Sequence, residues 1–172
     1  SYILNGVPED KILVNPYGVD LSKFNKVPKE DTVFRFIFCG RLSFRKGTHY
    51  LLQAFHELNM QDTELMLIGP IDPEMKQTLN KYSANNVKYI GPQKQRDLSY
   101  FFSQGNVFVL PSLEEGLALV QAQAMACGLP LICTTNTGGE DLISANGKEG
   151  FVLPIRDTNS LKNKMLHMYE NR

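Results

Sequence analysis

The stretch "VFRFIFCGRLSFRKGTHYLLQAFHELN", residues 33–59, contains three successive patterns. Its first seven residues are an apolar run of aromatic and branched side chains, set between the charged KED of 29–31 and Gly40. That composition predicts a strand buried on both faces. From Thr48, a side chain suited to cap a helix, Leu51, Leu52, Phe55 and Leu58 recur at helical spacing to about Asn59. Between strand and helix lies a loop that carries two glycines and three cations.

The same alternation continues along the chain. ELMLIG (64–69) predicts a strand, 73–83 a helix with Pro73 in its first turn, VKYIG (87–91) a strand, 94–103 a short helix, and VFVLP (107–111) a strand stopped by proline. Residues 117–127 read as a helix closed by Gly128, LPLIC (129–133) as a strand, and 140–144 as one helical turn. GFVLP (150–154) is the last strand and 159–170 the last helix. Parallel neighbours need crossover helices of one hand, so strands separated by helices predict an α/β fold: a doubly wound, Rossmann-like parallel sheet of about six strands. The expected order is 3-2-1-4-5-6, with its reversal between strands 33–39 and 107–111. Residues 33–172 form this domain. Residues 1–32 read as a lead-in, with a brief apolar run and a Pro-Tyr-Gly turn in KILVNPYGVD (11–20) and a surface connection in SKFNKVPKED (22–31).

A chain of 172 residues with 42% apolar content suits one hydrophobic core. Eighteen cations balance eighteen anions, so no global field recruits nucleic acid or an anionic membrane. Cys39, Cys127 and Cys133 lie in or beside apolar segments without ligand spacing, as expected of buried thiols in a reducing compartment. No run of about 18 apolar residues is present, and residues 1–20 lack the pattern of a signal peptide; the expected location is the cytoplasm.

A ligand site at the reversal would be lined by the loops leaving strands 33–39 and 107–111. The first carries Gly40, Arg41, Arg45, Lys46 and Gly47. A guanidinium fork beside a mobile ammonium suits a diphosphate, and in isolation such a loop also reads as a solvated basic surface. The second, PSLEEGL (111–117), feeds a helix whose first amides can cradle an anion, with Gly116 allowing close approach. Glu115 would repel phosphate but can accept from hydroxyls, which points to a ligand with an anionic centre and a polyol end; the plain alternative is a carboxylate favoured by the helix dipole. Gly138 and Gly139 fit amides facing phosphate or sugar, and equally a simple turn. No G-x-G-x-x-G or G-x-x-x-x-G-K-[ST] is present, which disfavours NAD, FAD and P-loop chemistry. His49, His56 and His167 have no ligand spacing and read as packing or surface residues; no metal is expected.

In order and spacing, NPYGVDLSKF (15–24), GRLSFRKG (40–47), LMLIGP (65–70), VKYIGPQ (87–93), VFVLPSLEEGLALVQAQAMACGLPLICTTNTGGEDLI (107–143) and GKEGFVLPIRDTNSL (147–161) resemble one family. It is the C-terminal, donor-binding domain of retaining B-fold glycosyltransferases, the glycosyl transferases group 1 family, like glycosyltransferase family 4. The resemblance implies half of a B fold that binds a nucleotide diphosphate sugar, a UDP-, GDP- or ADP-hexose, for transfer to an acceptor hydroxyl with retention. It implies that Arg41 and Lys46 hold the diphosphate and stabilise the leaving nucleotide. Glu115 matches the first carboxylate of the family's glutamate, seven residues, glutamate motif and would contact sugar hydroxyls. The amides of Gly116, Leu117, Ala118 and Leu119 would cradle sugar and distal phosphate, joined by Gly40, Gly138 and Gly139 as donor-binding positions. Gln123 stands where the second glutamate would take the ribose hydroxyls; it keeps an acceptor oxygen and loses the charge. Leu117 and Ala118 replace the family's usual aromatic and small residues. The resemblance further implies an N-terminal acceptor-binding domain outside these residues, membrane association only through that part, and little transfer by this piece alone. The alternative is a non-catalytic nucleotide or sugar-phosphate binding module.

Overall fold

Six consecutive buried residues, Phe34–Cys39, form β1, and they are buried because the strand has a parallel neighbour on each side and helices over both faces. The structure, a computed structural model, describes residues 2–13, 15, 17–144 and 148–172. Val14 and Pro16 of the 11–20 reading, and Gly147 of the last quoted stretch, lie outside them. The elements are β1, α1 (Thr48–Leu58), β2 (Thr63–Ile68), α2 (Lys76–Lys81), β3 (Val87–Gly91), α3 (Leu98–Ser103), β4 (Val107–Leu110), α4 (Leu119–Ala126), β5 (Leu131–Thr134), β6 (Gly150–Leu153) and α5 (Thr158–Glu170). All ladders are parallel and the order is β3-β2-β1-β4-β5-β6, the 3-2-1-4-5-6 arrangement expected. Phe34 to Cys39 face Thr63 to Ile68 of β2, while Phe36 and Ile37 pair with Val107 and Phe108 of β4.

Fixed crossover handedness sends the helices of the leftward crossovers to one face and those of the rightward crossovers to the other. On one face α1 and α5 pack together, joined at the rim by Lys162 Nζ to Glu57 at 2.8 Å, with Tyr169 edge-on to Phe34 at 5.4 Å. On the other face Phe102 of α3 meets Phe108 of β4 edge-on at 5.7 Å. The centre of the core is Phe36, Phe38, Ile37, Leu65, Leu67 and Phe108, all fully buried. Among the described residues no helix is long and apolar enough to cross a membrane.

Several boundaries differ from expectation. The helix read at 117–127 begins at Leu119, and the strand read at 129–133 begins at Leu131, after Pro130, whose carbonyl accepts from the Phe108 amide at 2.9 Å. Residues 73–83 and 94–103 each open with a 3-10 turn, Pro73–Met75 and Gln95–Asp97, before α2 and α3. The turn read at 140–144 is Gly139–Asp141. Thr48 does not cap α1. It is fully buried, and Gly47 holds the cap position in a left-handed conformation without a side-chain bond. The lead-in is not wholly a surface connection either. Phe24 is 2% exposed and stacks on Phe102, and the amides of Asn25, Val27 and Glu30 are taken by Ser99 Oγ and Ser103 Oγ of α3 and by Gln104 Oε1 just after it.

Candidate functional site

Two loops leave the C-terminal ends of β1 and β4, and the fold binds them to each other. Gly47 sits at φ +64°, and a Cβ there would stand 1.9 Å from the Pro111 carbonyl oxygen, so only glycine lets the loops touch. The Leu113 amide donates to Arg45 O at 2.9 Å, and Arg45 Nη1 donates to Glu114 O at 3.0 Å. A third loop, after β5, supports the second. The Glu115 amide donates to Asn136 O at 2.7 Å, Gln121 Nε2 to Thr137 O at 2.9 Å, and Thr134 Oγ1 to Ser112 O.

The cations and the carboxylate expected at this place are brought together. Lys46 Nζ stands 2.5 Å from Glu115 Oε1, and the two side chains are 15% and 10% exposed. That oxygen has the ion-pair contact but no hydrogen bond of good geometry. Arg45 Nη1 lies 3.8 Å from Glu115 Oε2. Gly40 ends β1 beneath the lysine, where a Cβ would meet Lys46 Cε at 3.9 Å. Arg41 is different: 60% exposed, it reaches sideways to Asp72 Oδ1 at 3.0 Å. Asp72 escaped the sequence reading. It follows the strand next door and is tied in by the Asp72 amide donating to Leu42 O at 3.0 Å.

Because α4 starts at Leu119, Gly116, Leu117 and Ala118 belong to the loop. Among the described residues the amides of Gly116, Leu117 and Leu119 have no acceptor, and nothing stands within 4 Å of a Cβ built on Gly116. The Ala118 amide instead donates inward to Thr137 O at 3.3 Å, which interrupts the expected run of four. Gly138 and Gly139 have packing reasons of their own. A Cβ on Gly138 would meet Leu117 Cδ1 at 2.5 Å, and one on Gly139 would meet Cys133 Sγ at 2.2 Å, while the Gly139 amide donates to Thr137 Oγ1 at 3.4 Å.

A cavity of about 540 Å³ lies further along α4, lined by Leu119 and Gln123, by residues 94–96 after β3, and by Gly18, Asp20, Lys23 and Phe24 of the lead-in. Gln123 is one helical turn beyond Leu119, so one helix serves the cation cluster at its start and the cavity on its flank. Of the cavity's residues, Leu119 and Gln123 are site positions expected from the sequence; Gly18, Asp20, Lys23 and Phe24 fall in the NPYGVDLSKF stretch without an expected site role, and residues 94–96 come from an ordinary surface segment.

The buried cysteines and His49 serve packing. Burial pushes the Cys39 thiol up to about 12, with the Lys46 cation opposing, and the Cys133 thiol to about 11, so neither supplies a nucleophile near neutrality. His49 packs on Tyr50 at 3.9 Å and on Phe44 at 5.0 Å, and burial lowers its pKa. Among the described residues no group of three or more His, Cys, Asp or Glu is placed to hold a metal ion.

Residues 33–171 match the family described as Glycosyl transferases group 1. The UDP-Gal:alpha-D-GlcNAc-diphosphoundecaprenol alpha-1,3-galactosyltransferase of Escherichia coli is 29% identical over 182 residues, covering 94% of this chain and 46% of that protein. Sucrose-phosphate synthase from Thermosynechococcus elongatus superposes with a TM-score of 0.79 at 26% identity, over 91% of this chain and 43% of that one. Anabaena Alr3699/HepE in complex with UDP superposes with a TM-score of 0.84 at 19% identity, over 99% of this chain and 51% of that one. The chain spans about two fifths of the length of the curated relatives it matches.

Proposed function

The chain belongs to the glycosyl transferases group 1 family, and from that premise we propose that these residues form the donor-binding half of a retaining hexosyltransferase. The observation that carries the reading is the meeting of Lys46, Glu115 and the open Gly116 amide beside a cavity reached along α4. Phosphate needs cations and free amides, a hexose needs a carboxylate that accepts from hydroxyls, and a nucleoside needs a cleft; the cations and the carboxylate meet on the two touching loops ahead of α4 and the cleft lies along its flank. The bond between the anomeric carbon and the phosphate oxygen breaks, and a bond from that carbon to the acceptor oxygen forms on the same face. The nucleoside diphosphate leaves with the electron pair, and the acceptor hydroxyl passes its proton to the departing phosphate oxygen. Lys46 and Arg41 answer the charge that grows on the diphosphate, which is where fixed electrostatics lower a barrier most. For Arg41 this requires exchanging Asp72 for phosphate, a modest demand on an exposed pair. Glu115 takes sugar hydroxyls, Gln123 faces the ribose, and Gly138 sets Leu117. Uridine diphosphate sugars are the first donors to try, since the galactosyltransferase relative carries UDP-Gal in its name. That relative also makes a sugar of a lipid-linked or polymeric glycan a reasonable acceptor class.

A second reading, a binding module without transfer, is favoured by one observation: the cavity presents Gln123 in place of a carboxylate. Calorimetric titration with UDP, GDP, ADP and their glucose and mannose conjugates tests the donor site. Micromolar binding of one nucleoside diphosphate series is expected, and Arg41→Ala or Lys46→Ala should each cost about 1.5–3 kcal/mol of it, the range for a hydrogen bond to a charged group. Unchanged affinity in both variants would sink the assignment.

A further inference from the structure

Lys46 and Glu115 hold each other. Their charged atoms are 2.5 Å apart, shielded on nearly all sides, and Lys46 has no other carboxylate at ion-pair distance among the described residues. The carboxylate, by contrast, is not committed to the fold. Its Oε1 has no hydrogen bond of good geometry beyond the ion pair, and the buried polar side-chain atoms without a hydrogen bond among the described residues are Ser112 Oγ and Glu115 Oε1 on the second loop and Thr48 Oγ1 and His49 Nδ1 in the first turn of α1, which the first loop enters. Arg45, the other nearby cation, is 3.8 Å from Oε2 and spends a donor on the Glu114 carbonyl. We infer that Glu115 is an internal competitor for Lys46 that sets the preference of the site for an intact sugar donor over the bare nucleoside diphosphate. This rests on the donor-binding reading above.

Two anions cannot share one ammonium in a shielded site without repelling each other. A nucleotide sugar resolves the conflict, because its phosphate takes the ammonium while its hexose hydroxyls donate to the carboxylate left behind. A bare nucleoside diphosphate brings the phosphate but no hexose hydroxyls to donate to Glu115. It takes Lys46 from Glu115 and leaves the shielded carboxylate only the longer Arg45 contact at 3.8 Å beside a second negative group, a costly arrangement for a mostly buried charge. Glu115 therefore penalises product more than donor. The site releases the nucleotide once the sugar has gone, and the penalty comes from a residue whose contact with the sugar would otherwise read as simple recognition.

The test is calorimetric titration of the whole 172-residue chain and of Glu115→Gln with UDP and UDP-glucose, and with the GDP and ADP pairs if those bind. Glutamine keeps the size and the acceptor oxygen and removes the charge. The expected result is UDP binding at least roughly tenfold tighter in the variant, a part of the cost of like-charge juxtaposition because Arg45 already offsets some of it, with UDP-glucose unchanged or weaker, so that the preference for the conjugate shrinks or inverts. Glu115→Ser, which cannot overfill the loop, must move UDP affinity in the same direction if the glutamine variant folds poorly. UDP affinity unchanged or weakened in the variants, while the natural chain binds it, overturns the competitor and leaves the donor site standing. Equal tightening of UDP and UDP-glucose also overturns it, since Glu115 would then be a general repulsive charge with no preference for the conjugate. No binding of any nucleotide by the natural chain removes the donor site itself, and the competitor with it.

Discussion

At the scale of single residues, the most informative position is the one that breaks the family pattern. Gln123 lines the cavity on the flank of α4, where a glutamate would gain charge-assisted bonds from ribose hydroxyls. Gln123→Glu should tighten binding of a ribonucleoside diphosphate by several-fold and leave its 2′,3′-dideoxy counterpart unchanged, because the added charge has nothing to accept from without hydroxyls. Equal effects on both ligands would show that the side chain points elsewhere in the cavity. Position 123 could be singled out because the family's glutamate, seven residues, glutamate motif, matched at Glu115, would place its second carboxylate there, and the proximity of Lys46 to Glu115 followed from the placement of both loops at one sheet reversal. Asp72 could not be read. Its partnership with Arg41 depends on the side-by-side course of the chain after β1 and β2, in which Leu42 bridges Ile71, and no local pattern encodes that.

At the scale of elements, helix and strand identities followed from periodicity, whereas their starting points did not, and the difference matters at the site. Sequence pattern alone extends α4 back to Leu117, since leucine and alanine are good helix formers. The helix begins at Leu119 because the preceding loop is held instead by the chain after β5, through Asn136 O and Thr137 O. Thus Gly116 and Leu117 present their amides from a braced loop. Two glycine substitutions separate bracing from binding. Gly47→Ala puts a Cβ 1.9 Å from Pro111 O in a left-handed conformation that alone costs a non-glycine residue about 1–2 kcal/mol, so both thermal stability and nucleotide affinity should fall. Gly116→Ala adds a methyl that meets nothing within 4 Å in the chain, so stability should stay within about 0.5 kcal/mol, as for an ordinary surface change. Its nucleotide affinity should nevertheless drop, since the open space over Gly116 is where the donor would lie. Thermal unfolding and calorimetry on the two variants read this directly; full affinity in a stable Gly116→Ala protein would mean that the donor does not approach that loop.

At the scale of the whole molecule, the sheet order was readable because parallel strands with single-handed crossovers admit few arrangements, and a change of crossover direction puts two strand ends side by side. The course of residues 18–30 was not, since Phe24 is one aromatic in a charged stretch and its partner Phe102 belongs to α3, far along the chain. That segment also lines the cavity, so the lead-in would contribute to the proposed nucleoside site. The cation cluster, the amides and the cavity all stand on one sheet and its lead-in, so these 172 residues should bind a nucleoside diphosphate without help. Transfer asks for more. An acceptor oxygen must be held about 3–3.5 Å from the anomeric carbon, and such positioning accounts for roughly 7–11 kcal/mol of barrier lowering. Water must also be kept from the same carbon. The curated relatives extend well beyond the matched region. The expectation is therefore binding of labelled nucleotide sugar by this chain, with no transfer to an oligosaccharide or lipid-linked acceptor pool above the rate of hydrolysis. Joined to an acceptor-binding half from a group 1 relative, the same residues should gain transfer that Lys46→Ala abolishes. Transfer by the 172 residues alone at the rate of the joined protein would show that the acceptor site lies on this sheet after all.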